Sequence, residues 1–551
     1  MQGAGAASRS AIVLSALLMS SLLLLSSAST QQCSSPLHLR GGGVMAPLQS
    51  IAKRVGGFLR TASFGNLDSS NLVAPEGKII FDDIRKLMEE EKLSESAIRA
   101  FQQAYEALVR GDDGMISERM ISPALDLPML ADIKQASIPD DKVKALLGQT
   151  VILKLNGGLG TGMGLEKAKS LLEVKGSETF LDFIAKQVLH FRKTKGDVRS
   201  MFMNSFSTSA DTKDALKGHP ELVQGGWEVV QNKVPKIDAE SLRPAKWPAN
   251  PTKEWCPPGH GDLYPSLAGS GMLDSLLKDG VKYMFVSNSD NLGATLDLEL
   301  LNFFAQSDKS FLMEVCERTE ADKKGGHLAV RKQDGRLLLR ESAQCPPDDE
   351  KAFQDVSKHK YFNTNNLWIR LDKLKEVLDK NNGVVPLPMI KNAKTVDPSD
   401  SKSAAVFQLE TAMGAAIESF DNSGAIVVDR SRFAPVKTCA DLLRVRSDAY
   451  DVTEDSRLVL SAECKGQPPV VDLDKKEYKT MSGLDKMLSK GDVPSLKHCK
   501  KLTVKGKVAL EKGITFKGEV TIVNPTAEWR ILKAGVYENQ TVELGENSEK
   551  L

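Results

Sequence analysis

An apolar run followed by a glycine-rich loop constrains this chain more than any other feature of its sequence. Residues 151–155 read Val-Ile-Leu-Lys-Leu, which is typical of a buried strand, and glycines follow at 157, 158, 160, 162 and 164. Glycine loses more conformational freedom on folding than any other residue, so this density indicates backbone that approaches a ligand or takes positive φ. Backbone N–H groups exposed in such a loop form a concave, partly positive surface that suits phosphate oxygens.

The spacing of these glycines excludes two common nucleotide-binding loops. The loop lacks the Gly-Lys-Ser or Gly-Lys-Thr that ends a P-loop, and its third glycine does not fit G-x-G-x-x-G in any register. A tight structural turn is therefore the alternative to a phosphate-binding loop, as long as only the glycines are considered.

The residues after the loop alternate between helical and extended patterns. Apolar residues at 181, 184, 185, 188 and 189 follow helical spacing and predict a helix from Thr179 to Lys193. Further elements are predicted at 198–204, 283–287 and 311–315 (strands) and at 371–380 (helix). This order predicts a Rossmann-like α/β domain over residues 150–440, a mixed sheet flanked by helices, with ligands bound beyond the carboxyl ends of its strands.

The segment before this domain has a helical pattern. Between Ile79 and Leu108 one apolar face recurs at helical spacing, formed by Ala97, Phe101, Ala104, Tyr105 and Leu108. We expect residues 76–149 to form a helical N-terminal lobe that packs against the α/β domain and carries no chemistry.

The C-terminal residues, 441–551, contain a short repeat. Residues 502–508 read Leu-Thr-Val-Lys-Gly-Lys-Val and recur twelve residues later as Ile-Thr-Phe-Lys-Gly-Glu-Val. Twelve is two steps of six, and short strands with an aliphatic side chain every six residues are typical of a parallel β-helix. We expect such a domain here, with a role in packing or self-association.

The N-terminal residues have the composition of a targeting leader in two parts. Residues 11–25 are apolar, follow Arg9 and precede small residues, which predicts a signal peptide over 1–29 in preference to a membrane anchor. Residues 30–67 are basic and contain no acidic residue, which predicts a transit-like leader over 30–75, with a disordered arm as the alternative. A leader of this kind resembles those of proteins that reach plastids by the secretory route; a cytoplasmic location is the alternative.

Charge and cysteine usage exclude several classes of protein. The chain has 73 basic and 72 acidic residues, so its net charge of +1 gives no indication of nucleic-acid binding. Its seven cysteines are scattered and form no C-x-x-C, so neither a disulfide framework nor a zinc site is predicted. The mature chain is expected to have no stable membrane insertion.

The complete loop sequence is more specific than its glycines. Leu155-Asn156-Gly157-Gly158-Leu-Gly-Thr-x-Met-Gly, followed by Lys169-Ser170, resembles the nucleotide-binding loop of eukaryotic UTP–glucose-1-phosphate uridylyltransferases. The family usually reads Gly-Pro-Lys-Ser at the end of this loop, whereas this chain has alanine in place of the proline. The resemblance implies that Leu155, Asn156, Gly157 and Gly158 contact uridine and that Lys169 contacts the β- and γ-phosphates of UTP.

Further segments match the same family in the same order along the chain. They contain Gln231, Gly259-His260, Asn288-Ser-Asp290, Gly325-Gly326, Asn363-Thr-Asn365, Gln408-Leu-Glu410 and Pro435-Val-Lys437. The resemblance implies that Gln231 and Gly259 bind the nucleotide and that Lys437 meets the phosphate at the reaction centre. It assigns the sugar phosphate to His260, Asn288, Gly326, Asn363 and Asn365. Asp290 would hold Mg²⁺ between phosphates, since an oxygen ligand suits that ion.

The resemblance implies a reaction as well as a fold. UTP and glucose 1-phosphate would give UDP-glucose and pyrophosphate, reversibly and with Mg²⁺, by direct displacement at the α-phosphorus. The attacking phosphate is already anionic, so the protein must supply position and charge rather than a strong base. The implied C-terminal domain is a left-handed parallel β-helix. Two alternatives stay open: a pyrophosphorylase for UDP-N-acetylhexosamine or a broad set of UDP-sugars, and an inactive protein that binds UDP-sugars.

Overall fold

The computed structural model describes residues 75–133 and 137–551. The predicted signal peptide and all but the last residue of the predicted leader lie outside the described residues. The helices are α1 (Pro75–Glu90), α2 (Glu95–Val109), α3 (Asp140–Gly148), α4 (Phe180–Thr194), α5 (Ser209–Ala215), α6 (Leu263–Gly269), α7 (Met272–Lys278), α8 (Leu298–Gln306), α9 (Glu350–Phe353), α10 (Leu371–Lys380), α11 (Cys439–Arg446) and α12 (Met481–Met487).

The strands are numbered in chain order in the same way. They are β1 (Ile121–Pro123), β2 (Thr150–Asn156), β3 (Glu173–Lys175), β4 (Glu178–Thr179), β5 (Arg199–Asn204), β6 (Glu228–Val230), β7 (Val234–Pro235), β8 (Ile237–Asp238), β9 (Trp255–Cys256), β10 (Tyr283–Asn288), β11 (Phe311–Glu317), β12 (His327–Arg331), β13 (Leu337–Arg340), β14 (Tyr361–Arg370), β15 (Ile390–Thr395), β16 (Ala405–Glu410), β17 (Ser423–Val427), β18 (Tyr450–Val452), β19 (Leu458–Leu460), β20 (Val470–Leu473), β21 (Ser495–Lys505), β22 (Val508–Leu510), β23 (Ile514–Val523), β24 (Arg530–Leu532), β25 (Gly535–Glu538) and β26 (Thr541–Glu543).

A ten-stranded mixed sheet forms the centre of the molecule. Its main path runs β1-β12-β14-β10-β2-β5-β6, while β13 pairs with β12, and β11 pairs with both β14 and β17. The neighbours β10, β2, β5 and β6 are all parallel, and β14 is antiparallel to both β10 and β11. Helices lie on both faces of the sheet, so the predicted mixed α/β domain is confirmed.

The strand, loop and helix around the glycines form where the sequence predicts them. Val151, Ile152 and Leu153 of β2 are buried, as a central parallel strand requires. Helix α4 begins after Thr179, whose hydroxyl accepts a hydrogen bond from the backbone N–H of Asp182, 3.2 Å away. The Asp182 carboxylate accepts in return from the Thr179 backbone N–H at 2.9 Å, which completes a capping box and fixes the start of the helix.

Helices α1 and α2 pack against the α/β domain through the predicted apolar face. Phe101, Tyr105 and Leu108 of α2 are buried in a cluster that includes Ile237 and Leu409 of the α/β domain. The predicted lobe is not purely helical, because β1 lies within it and pairs with β12 at one end of the central sheet. The helical spacing of α2 gave no information about this short strand, since three residues are too few to show a period.

The C-terminal residues form stacked parallel strands. β20, β21 and β23 are parallel neighbours, β25 and β26 continue the stack, and β22 pairs with β24 in a second parallel sheet. Leu502 is in register with Val520, eighteen residues later, and the offsets between parallel neighbours from β21 to β26 range from 18 to 22 residues. The twelve-residue repeat in the sequence is therefore not the length of one layer.

One hydrophobic core crosses the boundary predicted at residue 440. The same buried cluster contains Ile184 of α4, Leu443 of α11 and Leu502 of β21. The described residues accordingly belong to a single compact unit, Val73–Leu551. Within the described ranges, none of the helices is long and apolar enough to cross a lipid bilayer.

Candidate active site

Four parallel strands end at one edge of the sheet and bring the predicted site together. Asn288 of β10 is in register with Leu155 of β2, and Asn156 with Asn204 of β5. The segments that follow these strands therefore start at the same edge: the glycine-rich loop, Ser205, Gln231 and Asp290. This arrangement is the one expected for ligand binding in an α/β sheet.

The glycine-rich loop needs several of its glycines for geometric reasons. Gly160 and Gly164 have φ values of 64° and 72°, a region in which side chains are strained. A Cβ atom on Gly157 would lie 2.8 Å from the side-chain oxygen of Gln231. The loop returns on itself, because the backbone N–H of Lys169 donates to the carbonyl of Gly158 at 3.0 Å. The backbone of the loop thus lies directly against Gln231.

Asn156 is bonded within the protein. Its Nδ2 donates to Oδ1 of Asn204 at 2.7 Å and to Oγ1 of Thr212 at 2.9 Å. Asn156 is buried, so both protons of its amide group are used to fix the start of the loop. The neighbouring Leu155 is half-buried, and its carbonyl accepts a hydrogen bond from Ser289 at 3.0 Å. The side-chain nitrogen of Asn156 is therefore occupied, and the nucleotide contact of Asn156 stays a prediction.

Gln231 is held beside the loop by the Gly259 segment. Its Nε2 donates to the carbonyl of Gly259 at 2.8 Å, so the side-chain oxygen is directed towards Gly157. Gly259 has a φ of 81°, and a Cβ atom there would lie 2.5 Å from the carbonyl oxygen of Thr411. Only glycine fits this position, and its carbonyl fixes which end of the Gln231 amide faces the loop.

Lys169 and Asp290 form an ion pair in the centre of this edge. Nζ of Lys169 lies 2.6 Å from Oδ2 of Asp290, and each side chain is 16% exposed. The second carboxylate oxygen, Oδ1 of Asp290, is buried and has no hydrogen-bond partner in the described part of the chain. A buried anionic oxygen without a donor fits a ligand to Mg²⁺. No group of three or more candidate metal ligands occurs among the described residues, so substrate oxygens would have to complete the coordination.

The segment that carries Lys437 is tied to Asp290 through the backbone. The N–H of Val436 donates to the carbonyl of Asp290 at 3.2 Å, and Asn291 forms a β-bridge with Pro435. Lys437 is exposed, and its position at the edge follows from these bonds. The structure thus places both predicted lysines and the predicted aspartate at one point of the sheet edge.

The ring of His260 accepts a hydrogen bond from the backbone. Its Nδ1 accepts from the backbone N–H of Met413 at 3.0 Å, so the ring proton lies on Nε2. Burial, together with the charge of Lys437, lowers the pKa of His260 to about 4. The ring is therefore neutral at physiological pH, and Nε2–H is available to donate to an anionic oxygen.

Three of the five predicted sugar-phosphate residues line a cavity next to Lys437, and His260 and Asn288 do not. The cavity has a volume of about 830 Å³, and Gly326, Asn363, Asn365 and Lys437 are among its lining residues. Nδ2 of Asn363 donates to Oδ1 of Asn365 at 2.7 Å, and Asn365 has a left-handed φ of 60°. A β-bulge between β11 and β14 produces this conformation and turns both amides towards the cavity.

Asn288 completes the predicted sugar-phosphate set at the same edge. It is the last residue of β10 and half-buried, and its carbonyl accepts from the N–H of Asn291 at 3.3 Å. It is not among the residues that line the cavity. Asn288 therefore lies near the glycine-rich loop and Asp290, and not in the cavity that Asn363 and Asn365 line.

The structure adds residues that no sequence pattern indicates. Glu341 lines the cavity, its carboxylate lies against Gly326, and burial raises its pKa. Ser205 donates from its hydroxyl to the carbonyl of Gly157 at 2.8 Å.

Lys154 lies buried under the site, and burial, together with the charge of Arg432, lowers its pKa to about 7. Lys154 belongs to the apolar run of β2, where a lone lysine was the only available signal.

Most cysteines of the described residues are buried. Six of them, at positions 256, 316, 345, 439, 464 and 499, are free, and four of these are buried. Burial raises the pKa of the Cys256 and Cys316 thiols to about 12. These thiols are accordingly protonated and unreactive at neutral pH.

Comparisons with known proteins agree on one family. The family model described as UTP--glucose-1-phosphate uridylyltransferase matches residues 98–517. The UTP--glucose-1-phosphate uridylyltransferase of Saccharomyces cerevisiae is 40% identical over 379 residues, which cover 68% of this chain and 74% of the yeast protein. The protein of that name from Hordeum vulgare is 37% identical over 477 residues, which cover 85% of this chain and 98% of the barley protein.

Solved structures give the same result. A point mutant of UDP-glucose pyrophosphorylase from Leishmania major, in complex with UDP-glucose, is 49% identical with a TM-score of 0.80, covering 84% of this chain and 99% of that one. A UDP-glucose phosphorylase from Trypanosoma brucei is also 49% identical, with a TM-score of 0.79, and covers 86% of this chain and all of the other.

Proposed function

The chain belongs to the UTP–glucose-1-phosphate uridylyltransferase family, and we propose that it forms UDP-glucose and pyrophosphate from UTP and glucose 1-phosphate by direct displacement at the α-phosphorus. The observation that carries this mechanism is the meeting of Lys169, Asp290 and the Lys437 segment at one edge of the sheet. No nucleophilic side chain is needed, because the phosphate of the sugar is itself the nucleophile.

The uridine binds between the glycine-rich loop and Gln231. Nε2 of Gln231 is held by Gly259, so its oxygen is the acceptor for the N3–H of uracil. Backbone N–H groups of Gly157 and Gly158 are the complementary donors, and the absence of a side chain there allows the base to approach. The side-chain amide of Asn156 fixes the start of this loop through Asn204, and the nucleotide contact that we assign to Asn156 is made by its backbone.

The displacement needs positive charge on both sides of the α-phosphorus. A phosphate oxygen of glucose 1-phosphate attacks phosphorus, the bond to the bridging oxygen breaks, and pyrophosphate leaves with the bonding electrons. Lys437 stabilises the charge on the α-phosphate oxygens, and Lys169 stabilises the leaving pyrophosphate. Asp290 would hold Mg²⁺, which supplies further positive charge to the phosphates when it is bound. His260 donates from Nε2 to a phosphate oxygen and transfers no proton.

The sugar occupies the cavity beside Lys437. Asn363 and Asn365 each offer an amide that both donates and accepts, as hydroxyl groups require. Gly326 leaves room for the carboxylate of Glu341, which occupies the space in which a side chain at 326 would lie. We assign Glu341 as an additional acceptor for sugar hydroxyls, since its carboxylate faces the same cavity.

The test is pyrophosphate release from UTP by a chain that begins at Pro75. Release with glucose 1-phosphate, lost on chelation of Mg²⁺ and in Lys437→Ala, is the expected result. Release only with N-acetylglucosamine 1-phosphate would change the substrate and keep the fold. A folded protein that binds UDP-glucose and releases no pyrophosphate with either sugar would be a UDP-sugar-binding protein instead.

The C-terminal residues support a structural proposal. Parallel neighbours offset by 18 to 22 residues from β21 to β26 support a three-sided left-handed β-helix. β25 lies at one end of its sheet and its Val536 side chain is exposed, which favours self-association through this edge. Light scattering of the wild type and of Val536→Lys tests the association, which the lysine should weaken.

A further inference from the structure

A buried ion pair lies directly beneath the site, between strand β11 and the segment that leads to Lys437. Glu314 is fully buried, and its carboxylate accepts from Nε and Nη2 of Arg432 at 2.8 and 2.7 Å. Trp368 and Asn366 of β14 donate to the same carboxylate at 2.9 and 3.0 Å. All four acceptor sites of the carboxylate are therefore filled, which is the condition for a buried charge to be tolerated.

The Arg432 end of this pair is connected to Asp290. The carbonyl of Arg432 accepts from Nδ2 of Asn291 at 3.0 Å, and Oδ1 of Asn291 accepts from the N–H of Ala434 at 3.0 Å. Asn291 follows Asp290 directly, and Ala434 precedes Lys437 by three residues. A single buried amide thus joins the two segments that carry the metal-binding carboxylate and the lysine.

The Glu314 end of the pair is connected to the sugar amides. The β-bulge between β11 and β14 begins at Glu314, which is in register with Asn366, whereas the next residue pairs with Asn363. The carbonyl of Glu314 accepts from the hydroxyl of Thr364 at 2.7 Å, inside the bulge. The conformation of Asn363 and Asn365 is therefore set from the same residue that holds Arg432.

We propose that the Glu314–Arg432 pair is a positioning device that fixes the distance between the sugar amides on one side and Asp290 and Lys437 on the other. Neither side chain touches substrate. The pair acts because two hydrogen bonds in one plane fix the orientation of the guanidinium group, which a single contact would not do. This inference rests on the proposed function, and it assigns to the pair the alignment that direct displacement requires.

Two substitutions separate the two ends of the pair. Arg432→Lys keeps the charge and loses the two-point contact, so it should lower kcat about 10- to 100-fold, since an error of about 1 Å in alignment costs on the order of 10²-fold. The KM for glucose 1-phosphate should change less than about threefold. Glu314→Gln disturbs the bulge as well, so it should lower kcat and also raise this KM.

The matched control is Arg331→Lys. Arg331 forms an ion pair with Glu418 at the far end of β12, does not line the cavity and is in no part of the proposed machinery. Arg331→Lys loses one hydrogen bond, so the variant should have a lower free energy of unfolding and an unchanged kcat per folded molecule. Thermal unfolding and near-ultraviolet circular dichroism of each variant give the folded fraction.

The outcomes distinguish this inference from the proposed function. A wild-type chain without pyrophosphate release would contradict the function. If the wild type is active and folded Arg432→Lys has the same kcat, the positioning role alone is overturned. It is also overturned if Arg331→Lys loses as much kcat as Arg432→Lys. If Arg432→Lys does not fold, Asn291→Ala decides the matter: it leaves the ion pair intact and cuts the link to Asp290, and a wild-type kcat in that variant would overturn the proposal.

Discussion

Nζ of Lys169 lies 2.6 Å from Oδ2 of Asp290, although 121 residues separate the two along the chain. Lys169 comes from the end of the glycine-rich loop after β2, and Asp290 comes from the segment after the neighbouring parallel strand β10. Each charge neutralises the other before substrate binds. In this state the protein holds in one place the lysine that we propose for the leaving group and the carboxylate that we propose for a metal ion.

Removing the charge of Lys169 should therefore affect the chemical step. Lys169→Gln should lower kcat by about 10²-fold or more, since a preorganised charge aimed at the leaving group is lost. Lys167→Ala is the control, because Lys167 is exposed and two residues away, and its kcat should stay within about twofold. Steady-state kinetics of the two variants would refute the assignment if they lost activity equally.

Restoring the proline of the family loop should have little effect. Ala168 has φ −51° and ψ 128°, which proline adopts, and a proline there stabilises by about 0.4–1 kcal/mol through the unfolded chain. The backbone N–H of Ala168 donates to Oδ2 of Asp211 at 3.2 Å, however, and losing this bond costs about 1 kcal/mol. Ala168→Pro should thus change Tm by less than about 2 °C and leave kcat within about threefold. A large gain in activity would show that the alanine distorts the loop.

His260 should not titrate as an ordinary histidine. Burial and the charge of Lys437 hold its pKa at about 4, so the pH–rate profile should show no ionisation from this residue between pH 5.5 and 8. Its contribution to folding stability is complete above its unfolded value near 6.5 and is lost as pH falls towards 4, because the unfolded chain takes up the proton first. NMR titration of the His260 ring, with His260→Gln to assign the signal, measures this. A midpoint near 6.5 would contradict the buried donor role.

A second buried network predicts how the protein responds to acid. Burial alone would raise the pKa of Glu118, but hydrogen bonds from Lys358, His359 and Arg340 lower it to about 2. The stability from this carboxylate is present above its unfolded value near 4.5 and is lost as pH falls towards 2. Glu118→Gln leaves the fully buried Arg340 with one ion pair, to Asp349 at 3.2 Å, in place of two, so it should cost about 2 kcal/mol at pH 7.

Denaturant unfolding of this variant at several pH values provides the measurement. The difference between wild type and Glu118→Gln should shrink below pH 4.5 and nearly vanish near pH 2. Glu320→Gln is a suitable control, since Glu320 is largely exposed and makes only a long ion pair with Lys323. A pH-independent difference would show that the carboxylate contributes by shape and not by charge.

Much of the fold was predictable because its signals are local. The helical spacing of Leu181 to Leu189 and the cap at Thr179 depend only on near neighbours, and α4 begins and ends within a residue of the prediction. The short strand β1 and the register of the C-terminal layers, whose offsets from β21 to β26 range from 18 to 22 residues, were not predictable in this way. Both depend on which strands become neighbours, and pairing partners far apart in the chain leave no period in the sequence.

The sequence by itself determined which residue types are available for the proposed chemistry: two lysines, an aspartate, a pair of amides and a glycine-rich loop. The tertiary structure decided how these residues are used. It paired Lys169 with Asp290, directed the amide of Asn156 inward to Asn204, and placed Glu314 and Arg432 beneath the site as a satisfied ion pair. The physical reason is that residue type fixes what a side chain is able to bind, whereas strand order and register fix which partner lies within hydrogen-bonding distance of it.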